Sequence, residues 1–227
     1  MFKFIETNYF NLDIVTKIPL TLSERIELDE ELRVDATWEE FLELLPHVEY
    51  RIEYDGQSIV SFKGFGTPIH ELLITNFTYL ILSTLGFRSK YNVYSSNLAI
   101  LNPDDPRKYF NGDCTVVEGE IEFVPLQGTM QAVSNPLIIV EVLSKSTRSY
   151  DLLVKLEKYR KIASLQQIFF IDSQKLKVDS YQRIEDSTDW IIRTFDSVDQ
   201  VIGILDKGEI AMADLYQNVS FEDTSTQ

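Results

Sequence analysis

The chain is short of cysteine, histidine and positive charge, and each shortage removes a class of explanation. One cysteine, Cys114, among 227 residues excludes an internal disulfide framework and any cysteine-rich zinc site. Two histidines, His47 and His70, exclude a multi-histidine metal centre. No run approaches the ~18–20 apolar residues of a membrane span. The opening MFKFIETNYF has no basic region leading into an apolar block. Neither a membrane anchor nor a signal peptide is therefore expected, and a cytoplasmic location is the default. Lys and Arg number 21 against 36 Asp and Glu, a net charge of −15. Such a balance counts against casual nucleic-acid binding, because phosphate contacts dominate that affinity.

What is present fits an ordinary globular protein. Hydrophobic residues make up 44% of the chain and charged ones 25%, enough for a sizeable core. The length fits one large domain, or one domain with an appendage. Charge is unevenly placed. Residues 140–183 hold nine Lys and Arg against five Asp and Glu, whereas residues 1–60 hold five against fourteen. A solvated helix in an acidic protein would also explain that basic stretch.

Residues 1–35 show no clean period and read as an extended arm, a short strand pair or an irregular layer. Thr37 and Glu40 form a capping-box pattern before a short helix that ends at Pro46. Residues 48–63 read as a hairpin turning at Asp55-Gly56. Thr67-Pro68 starts a helix that Gly86 closes. Strands are expected over 91–101 and 109–117, separated by a loop over 102–106, and 118–135 reads as irregular. The run Leu137-Ile-Ile-Val-Glu-Val-Leu143 has the character of a central strand covered on both faces. A helix over 147–163 follows, then strands at 167–171, 176–182, 190–195 and 201–205. This order predicts an α/β chain of the α+β type, a mixed sheet with helices packed on it.

Two acids stand out. Glu141 interrupts the apolar central run, where a carboxylate is costly unless paired, hydrogen-bonded or bound to a metal. A misread edge strand or a buried pair with Lys or Arg would account for it too. Asp113 likewise enters an apolar strand, after Gly112, which permits a bend or a close backbone approach. Two acids at one level of neighbouring strands suit Mg²⁺, which takes one or two carboxylates, waters and a substrate phosphate. Lys155 lies on the helix after Glu141. It is either half of a surface ion pair with Asp151 or an ammonium turned back toward the acids.

The order Asp113, Glu141, Lys155 resembles the PD-(D/E)XK nuclease centre, and more closely the Uma2-like family, described as "putative restriction endonucleases" and formerly a domain of unknown function. The segments that carry the resemblance are Arg51-Ile-Glu-Tyr-Asp-Gly56, Thr67-Pro-Ile-His70, Gly112-Asp-Cys-Thr-Val-Val117, Ile139-Val-Glu-Val-Leu-Ser144 with Ser146-Thr147, and Asp151-Leu-Leu-Val-Lys-Leu-Glu-Lys-Tyr159. Ile168-Phe-Phe-Ile-Asp172 and Val178-Asp-Ser-Tyr181 extend it. The match implies a restriction-endonuclease-like domain over 37–216, with an N-terminal extension at 1–36 and a disordered tail at 217–227.

The resemblance also implies roles. Asp113 and Glu141 would be metal ligands with the carbonyl of Val142, and Mg²⁺, or Mn²⁺ in its place, the cofactor. Lys155 would replace the lysine usual two residues after the glutamate, where Leu143 stands here. Glu53 would bind a second metal or polarise a water, and His70 would join the catalytic set. Ser144 would cap or hydrogen-bond the site, and with Lys145 and Lys158 meet the substrate. Gly112 and Lys145 each stand where the family often has proline. The implied activity is metal-dependent endonucleolytic hydrolysis of DNA by a homodimer; a catalytically silent binding or regulatory module on the same fold is the alternative, and sequence does not separate DNA from RNA as substrate.

Overall fold

A computed structural model describes residues 17–63 and 66–221. Among them, eleven strands form one mixed sheet and two more form a separate hairpin. The sheet order is β1 (Glu31–Asp35), β3 (Ser58–Phe62), β2 (Glu53–Tyr54), β5 (Asp105–Glu118), β8 (Ile138–Leu143), β9 (Gln167–Asp172), β10 (Val178–Arg183) and β11 (Trp190–Phe195). β8 and β9 run parallel; the other neighbours on this path are antiparallel.

The local signals explain most elements. Thr37 and Glu40 cap each other reciprocally at the start of a helix over Trp38–Leu44. Thr67 caps a long helix, Pro68–Leu85, with proline in its first turn and Gly86 at its end with a φ of 87°. At the Asp55-Gly56 turn, the Asp55 carboxylate accepts the amides of Gln57 and Ser58, and Gly56 takes a φ of 103°.

Other expectations are corrected. The loop expected over 102–106 shrinks to a tight turn, because the ladder between β4 (Tyr91–Asn102) and β5 runs on to the pair Asn102 and Asp105. The irregular 118–135 contains a small hairpin, β6 (Phe123–Pro125) with β7 (Gln131–Val133). The last strand expected, β12 (Val201–Ile204), pairs with a further one, β13 (Gly208–Ala211), which leads into a helical turn, Met212–Leu215. Of the region without clean period, 1–35, residues 1–16 fall outside the described residues and the end is β1, an edge strand of the main sheet. In the tail, Val219 and Phe221 pack against the core, and 222–227 fall outside the described residues.

The parity of β8 sets the core. Ile138, Val140 and Val142 face the Pro68–Leu85 helix, whereas Ile139 and Leu143 face Tyr150, Tyr159 and Ile162 on the opposite side. All six residues of β8 are buried, so the strand is doubly covered as its composition predicts. Glu141 shares the parity of Ile139 and Leu143 and points under the helix that follows β8.

A buried arginine clamps the edge. Arg25 is 1% exposed and donates to the carbonyls of Asp29, Glu30 and Ser61 and to the Ser61 hydroxyl. Truncation to alanine orphans those acceptors and is expected to cost about 2–3 kcal/mol in a urea titration. A loss below about 0.5 kcal/mol would mean that water replaces the guanidinium.

Candidate active site

β5 has three strand partners and only two edges, and the site lies where the partners change. β4 lines one edge: Leu101 pairs with Tyr109, and Ser95 with Cys114. On the other edge Tyr109 meets Tyr54 of β2, whereas Cys114 meets Val140 of β8. Asn111 and Asp113 fall in the fork between β2 and β8. The ladder with β4 also shifts register between the pairs at Ser95 and Leu98, opposite this point. Such bulges re-aim side chains beside active sites. Gly112 is tightly surrounded: a Cβ there would lie 3.2 Å from Thr115 Oγ1 and 3.3 Å from Ile100 Cδ1.

Asp113 takes over where the ladder stops. Its Oδ2 accepts the Val142 amide at 2.8 Å and lies 3.5 Å from His70 Nε2; its Oδ1 is 3.7 Å from Arg51. Glu53 closes the fork from β2. Its Oε1 accepts from Arg51 at 2.9 Å and from the Asn111 amide at 3.0 Å, while its Oε2 is buried with no hydrogen-bond partner among the described residues. Arg51 also donates to the Asn111 carbonyl.

Lys155 is the hub beneath the sheet. The helix after β8 runs continuously through Arg148–Tyr150, a π turn at Asp151–Lys155, and Leu156–Tyr159. In the π turn the Leu156 amide reaches back five residues to the Asp151 carbonyl, an irregularity frequent at functional sites. The Lys155 ammonium lies 3.1 Å from Glu53 Oε1, 3.1 Å from Glu141 Oε1 and 3.2 Å from Asp151 Oδ1, and donates to the Asn111 carbonyl. Tyr159 donates its hydroxyl to Glu141 Oε1 at 2.6 Å. The Asp151–Lys155 pair is thus a buried one, not the surface pair its spacing also allowed.

Burial and charge pull the groups apart. Burial pushes Lys155 down, but Glu141, Glu53 and Asp151 outweigh it and hold the ammonium above the usual lysine range. It stays charged, an electrostatic partner rather than a base. Burial raises Glu53 and Asp113 as well; Lys155 and Arg51 overcome this at Glu53, and His70 and Arg51 at Asp113, so both stay below their ordinary values. Glu141 goes the other way, pushed up to about 8 by burial that Lys155 only partly offsets, with Asp151 and Asp113 adding to the rise. Paired groups whose environments separate their pKa values mark functional sites more often than chance.

Asp113, Glu141, Lys155, Glu53 and His70 are therefore gathered into one network. Arg51, Asp151, Tyr159 and the Asn111 carbonyl join it without having been singled out by sequence. The Ser144 hydroxyl accepts the Thr147 amide and meets the hydroxyls of Ser146 and Thr147, at the turn that leads into the following helix. Lys145 is exposed, and Lys158 pairs with Glu157 beside a small cleft lined by Lys108 and Lys161. The Val142 amide is committed to Asp113.

The donor set suits a hard cation. Every acidic donor is a carboxylate oxygen, and the buried, unpartnered Glu53 Oε2 is an acceptor that a cation would satisfy. Among the described residues, no three His, Cys, Asp or Glu side chains converge on one point. A site of two carboxylates completed by water and substrate phosphate remains within the habits of Mg²⁺. No described helix is long and apolar enough to cross a membrane.

An uncharacterized protein of Synechocystis sp. is 28% identical over 153 residues, covering 67% of this chain and 83% of the relative. A second uncharacterized Synechocystis protein is 32% identical over 71 residues, 31% of this chain and 37% of that one. The crystal structure of a "putative nuclease belonging to DUF820" from Anabaena variabilis shares the fold, with a TM-score of 0.61 and 18% identity over 80% of this chain and 97% of that one. Residues 38–206 match the model of Uma2, described as "Putative restriction endonuclease", and the chain belongs to that family.

Proposed function

We propose that the protein is a divalent-metal-dependent endonuclease acting on DNA. One observation carries the reading: Glu53 of β2 and Glu141 of β8 both reach the buried Lys155 ammonium, and Asp113 of β5 stands between those strands at the fork. Asp113 and Glu141 would hold Mg²⁺ or Mn²⁺, with Glu53 close by to bind a second ion or polarise a water. When bound, the ion supplies charge neutralisation at the scissile phosphate and acidifies a water.

The chain's own groups do the rest. Tyr159 and Lys155 both bond Glu141 Oε1, which fixes that carboxylate's rotamer. The Val142 amide and His70 hold Asp113 Oδ2 in the same way. Lys155 presents a preorganised positive charge in a dry setting, where it stabilises negative charge developing on phosphate oxygens. Its three carboxylate partners keep it protonated, so it orients and stabilises rather than abstracts a proton.

Incubation of the protein with single- and double-stranded DNA tests this. Fragments are expected in Mg²⁺ or Mn²⁺ and none in EDTA. A second reading, a binding module without turnover, draws on the net charge of −15. It predicts intact DNA under every condition.

A further inference from the structure

The family match begins at residue 38, after β1, yet β1 brings a side chain to the edge of the site. Arg33 pairs in register with Val60 of β3, and Val60 pairs with Glu53 of β2. Residues aligned across neighbouring strands share a face, so Arg33 and Glu53 project from the same side of the sheet, two strands or roughly 10 Å apart.

The Tyr150 ring lies near both Arg33 and Lys155. The Arg33 guanidinium carbon lies 5.7 Å from its ring centroid and Lys155 Nζ 5.8 Å from the same centroid. The ring is buried, and its hydroxyl has no hydrogen-bond partner among the described residues. One ring therefore lies near both a buried cation and an exposed one: the Lys155 side chain is 4% exposed and that of Arg33 39%. Arg33 is oriented by Glu31 through Nε and by Asp55 through one Nη, and its other Nη has no protein partner among the described residues.

We infer that Arg33 is a phosphate-binding residue at the rim, gripping the nucleic-acid backbone beside the scissile position; this rests on the nuclease reading above. The need is electrostatic. Glu53, Asp113, Glu141 and Asp151 outnumber the two cations paired with them, the buried Lys155 and Arg51, whose side chain is 37% exposed, and the whole chain carries −15. A polyanion entering this field requires exposed positive charge at the mouth. A guanidinium held against an aromatic face, with one edge open, suits a phosphate's two oxygens.

The test compares Arg33→Met with Asp55→Asn in the full chain. Asp55→Asn breaks the same ion pair but leaves the rim cation, and its Oδ1 still serves the turn amides. Binding of a fluorescent DNA oligonucleotide is measured by anisotropy across a salt series, with KM and kcat in Mg²⁺. Arg33→Met is expected to weaken Kd and KM about five- to tenfold and to lower the slope of log K against log salt by about 0.7–0.9, the share of one phosphate contact. The loss should not appear in kcat, and Asp55→Asn should keep the wild-type slope. Unchanged binding in Arg33→Met, or equal weakening in both variants, overturns the inference while leaving the nuclease reading intact. Wild-type protein that neither binds nor cleaves DNA overturns that reading and this inference with it.

Discussion

Replacing Lys155 with methionine is expected to destabilise the fold by about 3–5 kcal/mol. The ammonium is 4% exposed in its side chain and lies within 3.2 Å of three carboxylates that are themselves almost fully buried. Removing it strands Glu53, Glu141 and Asp151 without their common cation. They then either remain charged in a poorly solvated interior or take up protons, and both routes cost free energy. In a urea titration the midpoint falls while the slope is kept; for a chain of this size the melting temperature drops by roughly 6–20 °C. Adding Asp151→Asn removes one of the stranded charges and should recover part of the loss, a non-additivity that marks a shared network. A loss under about 1 kcal/mol would mean that the lysine is solvated and the cluster is not the closed unit described.

The second large effect concerns chemistry. Asp113→Asn and Glu141→Gln are expected to lower the cleavage rate by at least about 10²–10³-fold, the scale of losing one preorganised electrostatic group in an active centre. Both changes are close to isosteric. The first keeps an amide oxygen to accept from the Val142 N–H and the second keeps one to accept from the Tyr159 hydroxyl, so the fold should survive. Circular dichroism and an unchanged urea slope would establish that survival. Activity within about threefold of wild type in both variants would remove these carboxylates from the mechanism.

Part of this candidate site was legible in the sequence: local pattern marked Glu141 and Asp113, whereas Glu53 and His70 entered only through the resemblance to the Uma2-like family. Glu141 stood out because the β-branched run around it demands burial on both faces. The caps at Thr37 and Thr67, and the Asp55-Gly56 turn, are short-range devices whose side chains act within three residues. What stayed hidden depended on distant pairing. β1 is only five residues long; Leu32 and Val34 turn one face to the core, but two apolar positions are too few to stand out from the irregular stretch before them. β6 and β7 are three residues each and make sense only against one another and β4. Arg51 and Asp151 look like ordinary surface charges in sequence. The π turn carries Asp151 into the interior, and the fork in β5 draws Arg51, still 37% exposed in its side chain, onto Glu53 and Asp113; neither leaves a periodic trace.

The fold and the chemistry are joined at one place. A strand that changes partners leaves backbone groups unpaired, and Asp113 and Glu53 use their carboxylates to satisfy the amides of Val142 and Asn111 there. The same side chains are the candidate ligands, so local architecture holds them before any ion arrives.

Calorimetric titration of Mn²⁺ into the wild type, Asp113→Asn and Glu141→Gln tests the central claim most directly. Saturable binding is expected for the wild type, with affinity weaker by about tenfold or more in each variant. No binding by the wild type, or equal affinity in all three proteins, would contradict it.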